Sequence, residues 1–195
     1  MAFFIMSKLI RLKENLYKQN TFKLAKSLLG KFLVRKIGKK ILIGKIVEVE
    51  AYYGLHDKAS HASRGKTERT KLMFDKPGLA YIYLIYGMYN CLNIVTEKKD
   101  FPAAILIRAL EPISKFKMKT NGPGKLCQAL KIDRKLNGEN LITSKKLYLA
   151  QDSKTKIKKS QIISAKRIGI DYAGKYKHKP WRFYILSNPF VSRGN

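Results

Sequence analysis

Residues 41–52, ILIGKIVEVEAY, and residues 79–96, LAYIYLIYGMYNCLNIVT, decide how this chain is built. Both runs are rich in β-branched and aromatic residues, and the second is broken only at Gly87-Met88, the pattern of strand, turn and strand. Working outward, FLVRKI at 32–37 reads as a further strand joined to the first through a turn around Gly38-Lys39-Lys40. AAILIRALEPI is another strand, halted near Pro112, and the tail runs from RIGI through the loop DYAGKYKHKP to a last strand, WRFYILS, closed by Pro189. Apolar residues at helical spacing in NTFKLAKSLLGKFL (20–33) predict an amphipathic helix, and PGKLCQALKI a short one opening at a Gly-Pro-Gly turn that offers backbone N–H groups to a phosphate. The Lys-rich DSKTKIKKS reads as a solvated loop. Strands in the middle with helices beside them predict one α+β domain over residues 1–195, with a central antiparallel sheet, flanking helices and a protruding β-hairpin.

The composition narrows the partners. Against 41 Lys plus Arg there are 13 Asp plus Glu, a formal net charge of +28, spread from Lys8 to Arg193 rather than gathered in a tail. Such a coat points to a polyanion, nucleic acid first. The competing reading, that lysine is simply a favoured surface residue, draws on the scarcity of arginine. No apolar run approaches the roughly 20 residues of a membrane span. The opening MAFFIMSKLIRLK lacks the basic start and small-residue cleavage site of a secretory leader. Cys91 and Cys127 are isolated thiols without metal-ligand spacing, so a reducing cytoplasm is the simplest setting and no metal site is expected.

Alternate residues of a strand share a face, so Glu48, Glu50 and Tyr52 point one way and Val47, Val49 and Ala51 the other. Two carboxylates therefore flank one surface beside an aromatic ring. They read either as an exposed polar face paired with lysines or as a working site. Tyr81 and Tyr83 share a face of the hairpin, while Tyr86, Gly87, Met88 and Tyr89 make a bulky apolar tip. Periodicity leaves open whether that tip packs against the core or projects as a wedge for a nucleic-acid groove.

The run EVEAYYG, then His61 and Arg64-Gly65, MF, YIYLIYGMYNCLNI, IRALEP, NGPGKLCQAL, RIGI and PWRFY resembles the alkyladenine (3-methyladenine) DNA glycosylase family of base-excision repair, in order from about Phe22 to Ser192. YGMYNCLNI together with GPGKLCQAL is the specific part. The resemblance implies a compact mixed α/β enzyme, monomeric and without metal or cofactor, acting on double-stranded DNA with alkylated or deaminated purines. It implies that the base is flipped out and its N-glycosidic bond hydrolysed. Carried over residue by residue, the water-activating glutamate matches Glu50 and the arginine that helps place the water matches Arg108. The rings that sandwich the base match Tyr52 and Tyr83, with His61 beside them, and the asparagine that excludes guanine's amino group matches Asn93. The intercalating tyrosine matches Tyr86, while Arg69 and Lys125 fall in segments facing DNA. Two departures stand out. Only ISKFKMKTN separates ALEP from GPGKL where relatives usually carry a further helix and basic loop, and KTERT replaces the commoner TPRN.

The chemistry of the residues agrees with that resemblance. A purine alkylated to a cation leaves as a neutral base, so one carboxylate and one water suffice, and an electron-poor ring stacks well between tyrosines. Two other classes compete. A lysine-dependent lyase needs an amine at the pocket, yet no Lys interrupts residues 79–96. A non-enzymatic binder accounts for the charge and the aromatics but has no use for Glu50 among them.

Overall fold

The computed structural model describes residues 9–153 and 155–192. Lys8, Lys154, Arg193 and the first eight residues of the segment read for a leader lie outside them. Among the described residues nine strands form one antiparallel sheet: β1 (Ile10–Arg11), β2 (Phe32–Ile37), β3 (Lys40–Tyr53), β4 (Ala80–Ile85), β5 (Tyr89–Val95), β6 (Ala103–Pro112), β7 (Leu147–Gln151), β8 (Ile162–Ala165) and β9 (Arg182–Ile185). Their order is β1-β7-β2-β3-β6-β5-β4. β3 is long enough to take two neighbours on the edge away from β6: β2 pairs with its first half, and β9, carrying β8 outside it, pairs with Glu48, Val49 and Glu50. The α-helices are α1 (Glu14–Tyr17), α2 (Thr21–Leu28) and α3 (Pro123–Ala129). No helix among the described residues is long and apolar enough to cross a membrane.

The amphipathic run at 20–33 is helical over a shorter stretch than its periodicity predicts. Asn20 caps α2, accepting hydrogen bonds from the N–H groups of Phe22 and Lys23. Gly30 then turns the chain at φ +83°, and Phe32 and Leu33 enter β2. Leu24, Ala25 and Leu28 on the inner face of α2 join Val47, Val49 and Ala51 of β3 in the main core. The opposite face of β3 carries Glu48, Glu50 and Tyr52.

Register decides what that second face becomes. Glu50 lies opposite Leu106, Leu106 opposite Asn93, and Asn93 opposite Tyr81, so one row of side chains crosses four strands on the face away from α2. The β3–β6 ladder slips at Ile46/Glu48 and back at Glu48/Val49, leaving first Val47 and then Arg108 without an opposite residue. Paired bulges of opposite sense restore the register while re-aiming the side chains between them. A Cβ on Gly44, where the ladder is tight, would come within 2.9 Å of the Leu110 side chain.

Candidate active site

The bulge brings Arg108 between two carboxylates. Its Nε donates to Glu48 Oε1 at 3.2 Å, and its Nη1 lies 3.2 Å from Glu50 Oε1. Both glutamates are fully buried and Arg108 nearly so. Of the two readings of this face, the exposed one paired with lysines is removed: the partners are arginines, brought by the bulge in β6 and by β9. Glu48 also accepts from Arg182 Nη1 at 3.0 Å and from the Ser192 N–H at 2.7 Å. Glu50 accepts from the Ile168 N–H on Oε1 and from the Tyr52 hydroxyl on Oε2, both at 2.8 Å. A carboxylate offers about four lone-pair directions. Arg108 and Ile168 occupy those of Oε1, and Tyr52 takes one on Oε2.

Above Glu50 opens a cleft of about 120 Å³, lined among others by Tyr52, His61, Tyr83, Asn93, Arg108 and Ile168. Glu50 itself lies beneath the lining, reached through three of those residues. Tyr52 and Tyr83 line the same cleft, and neither ring packs against the other. His61 stands edge-on to Tyr83 at 4.3 Å and shares a 3.0 Å hydrogen bond between its Nδ1 and the Tyr81 hydroxyl. Burial, with the cations Arg69 and Arg64 behind it, lowers the His61 pKa from 6.5 to about 4, so the imidazole is neutral at physiological pH. Asn93 is buried, and its amide nitrogen is held by the carbonyls of Tyr81 and Cys91 at 3.2 and 3.4 Å. Burial pushes the Cys91 thiol up to about 11, which leaves it an inert wall residue. Among the described residues no lysine lines the cleft.

The hairpin tip projects. Tyr86 is 82% exposed and Met88 63%, which removes the core-packing alternative for this turn. Tyr86 and Gly87 both have positive φ, +51° and +70°, and the Met88 N–H closes the turn on Ile85. An aromatic residue is seldom found in that region of backbone space. Arg69 is exposed at the rim, its guanidinium 5.6 Å from the Tyr83 ring centre. Lys125 is exposed in the first turn of α3, outside the cleft lining, although Pro123 at the start of that helix belongs to it.

Sequence reasoning missed one pair. Arg167 and Asp57 are buried and form a two-pronged ion pair at 2.6 and 2.7 Å. Arg167 also donates to the Ala51 carbonyl and lies 4.7 Å over the Tyr52 ring. Asp57 accepts in addition from the N–H groups of Tyr53 and Ala59. This pair anchors the loop whose next residue, Ile168, hydrogen-bonds Glu50. The available signal was Asp57 itself, a rare acid between the EVEAYYG run and His61.

The sequence pattern of the family described as methylpurine-DNA glycosylase matches residues 15–189. A Clostridium perfringens (strain 13) protein, named as a candidate 3-methyladenine DNA glycosylase, is 47% identical across 94% of this chain and 100% of its own length. One from Legionella pneumophila (strain Corby) with the same name is 49% identical across 94% of this chain and 98% of itself. One from Methanocella arvoryzae is 47% identical across 93% and 96%. With its fold, its cleft and this similarity over nearly the whole length, the chain belongs to the methylpurine-DNA glycosylase family, hydrolases acting on N-glycosyl bonds.

Proposed function

We propose that this protein is a monofunctional DNA glycosylase that turns 3-methyladenine-type, alkylated or deaminated purines out of duplex DNA and hydrolyses the N-glycosidic bond with a water activated by Glu50. The observation that carries the reading is a buried carboxylate with one open lone-pair direction beneath an aromatic cleft that holds no lysine among the described residues. In this reading a water donates to the open side of Glu50 Oε2. Glu50 takes its proton as the oxygen attacks the anomeric carbon, and the carboxylate charge stabilises the oxocarbenium-like sugar. The purine leaves with the electrons of the broken C–N bond: an alkylated base, already a cation, departs neutral, while a deaminated base departs as an anion that takes up a proton from solvent. Arg108 positions both Glu50 and the water, and water is the only co-reactant the balance requires.

The pocket suits a cationic guest. His61 is neutral, and the Arg167 cation behind Tyr52 is paired with Asp57, so neither opposes a charged base entering between Tyr52 and Tyr83. Stacking of such a cation on tyrosine is worth about 0.5–2 kcal/mol. Asn93 fills the floor against the exocyclic amino group of guanine. Tyr86 occupies the gap left by the flipped base, with Arg69 and Lys125 on the backbone, and the enzyme works as a monomer without metal or cofactor. The test is chromatography of bases released from methylated duplex DNA. Free 3-methyladenine with an intact abasic strand and no borohydride-trapped adduct is the expected result. A trapped covalent adduct, or no released base from wild-type protein, overturns the reading.

A further inference from the structure

A second, larger cavity lies away from the base cleft. It holds about 780 Å³ and is walled by Lys23 and Lys26 of α2, Lys31 beyond it, and Lys156 and Lys159 on the connection from β7 to β8. None of the five lies within salt-bridge distance of a described carboxylate, whereas Lys45, Lys66 and Lys71 elsewhere do. Asp152, the acid at its edge, is engaged by the N–H and hydroxyl of Thr155. The cavity is held by close packing: a Cβ on Gly30 would come within 2.6 Å of the Ile157 side chain, so the connection sits down tightly on the turn between α2 and β2.

Its position matters as much as its charge. Leu33 and Leu149, neighbours of Lys31 and Gln151 at the cavity edge, belong to the core on the α2 side of the sheet. The base cleft opens on the other face, where Glu50, Leu106, Asn93 and Tyr81 align. A layer of secondary structure adds roughly 10 Å, so a duplex seated over the hairpin tip and cleft leaves the lysine cavity uncovered. Lysines act as point charges toward phosphate oxygens. Lys31 is partly buried, and that burial lowers its pKa, with Asp152 pulling the other way; an incoming anion would restore what desolvation removes.

We infer that this cavity is a second phosphodiester-binding surface, engaging the backbone of a DNA segment other than the one whose base occupies the cleft. The inference rests on the glycosylase reading, which places the protein among dense DNA. A protein that grips two segments can hold one while it samples the other.

The test separates the two readings. Wild-type protein is loaded with one equivalent of a short abasic-site duplex, and a fluorescein-labelled undamaged 20-bp duplex is then added, with sedimentation velocity as readout. The expected result is a ternary complex, weakened at least tenfold in K23E/K156E/K159E and to an intermediate degree in K23Q/K156Q/K159Q. The salt dependence of that second binding should lose about 0.9 in log–log slope per neutralised lysine. Single-turnover excision from a short lesion duplex should stay within twofold of wild type in both variants, because the three lysines stand apart from the cleft. Absence of a ternary complex, an equal complex in the charge-reversed variant, or capture of inorganic polyphosphate without capture of duplex overturns the second surface. Loss of excision in wild-type protein would instead strike the glycosylase reading.

Discussion

Glu48 and Glu50 sit two residues apart on one strand, on one face, equally buried, and both touch Arg108. Their surroundings separate them. Glu48 is closed in by Arg108, Arg182 and the Ser192 N–H, all nitrogen donors fixed by β6, β9 and the C-terminal turn. Glu50 lies under the cleft, and one of its donors is a phenol that itself lines that cleft. The same residue type therefore clamps two arginines in one place and lies beneath a cleft in the other. Each accepts from three donors, two on Oε1 and one on Oε2; what distinguishes them is the kind of donor and the cleft above Glu50.

The sharpest way to break that comparison is Glu50→Gln. Gln keeps the shape and removes both the proton acceptor and the charge, so single-turnover excision should fall by about 10²–10⁴-fold or more, while lesion-duplex binding persists. Excision within a few-fold of wild type would mean that the open carboxylate is not the base. Glu48→Gln should act in the opposite sense. It strips charge from a buried cluster and leaves Arg182 without its carboxylate, a change expected to cost about 3 kcal/mol, or a melting temperature lower by roughly 10 °C. Excision by the folded fraction should drop far less than in Glu50→Gln. A larger excision loss for Glu48→Gln would reverse the two assignments.

How much of this was legible depends on how far apart the partners lie. Strands β2 to β6 and β9 announce themselves by local alternation, and the shared face of Glu48, Glu50 and Tyr52 follows from strand geometry. β1 and β8 are short, and β7, though one residue longer than β9, lacks the aromatic run of WRFY; β7 takes its edge from β2, β1 from β7 and β8 from β9. The bulges that turn Arg108 inward arise from pairing between strands remote in sequence. Arg182 and Ser192 come to Glu48 from 134 and 144 residues away, and Arg167 to Asp57 from 110. No local pattern encodes such meetings. Alternation alone therefore placed two glutamates together without showing that arginines, not lysines, would meet them.

The hairpin repeats the contrast between closed and open on a smaller scale. At its root Tyr81 and Asn93 are buried; at its tip Tyr86 stands in solvent. Tyr86→Ser should leave the melting temperature within about 2 °C, and reduce the extruded population of an ethenoadenine reporter about tenfold, or about 1.4 kcal/mol. A large loss of stability with unaltered flipping would make the tip structural after all. Asn93→Ser acts at the root, where it shortens a side chain and frees the Tyr81 carbonyl. The expected effect is a rise of roughly threefold in guanine-type over adenine-type excision, about 0.7 kcal/mol. An unchanged ratio would show that Asn93 closes the wall without reading the base.

The smallest expected effect concerns His61, which shares the cleft with Tyr52 above Glu50 but meets burial in another way. Glu48 and Glu50 are surrounded by donors; His61 is partly buried beside two arginines, and its pKa falls from 6.5 to about 4. The folded protein thus resists a proton that the unfolded chain accepts below pH 6.5. Stability from the neutral imidazole is fully present above 6.5 and declines as the pH falls toward 4, below which both states are protonated and the decline ends. His61→Gln removes the titration while keeping an acceptor for the Tyr81 hydroxyl. Carboxylates titrate in the same region, so the informative quantity is the difference between variant and wild type. Between pH 6.5 and 4 the melting temperature of the variant should fall less steeply than that of wild type, with no such divergence between pH 7 and 8. Parallel curves throughout would mean that the folded protein admits the proton, and that the cleft does not keep His61 neutral for a cationic base.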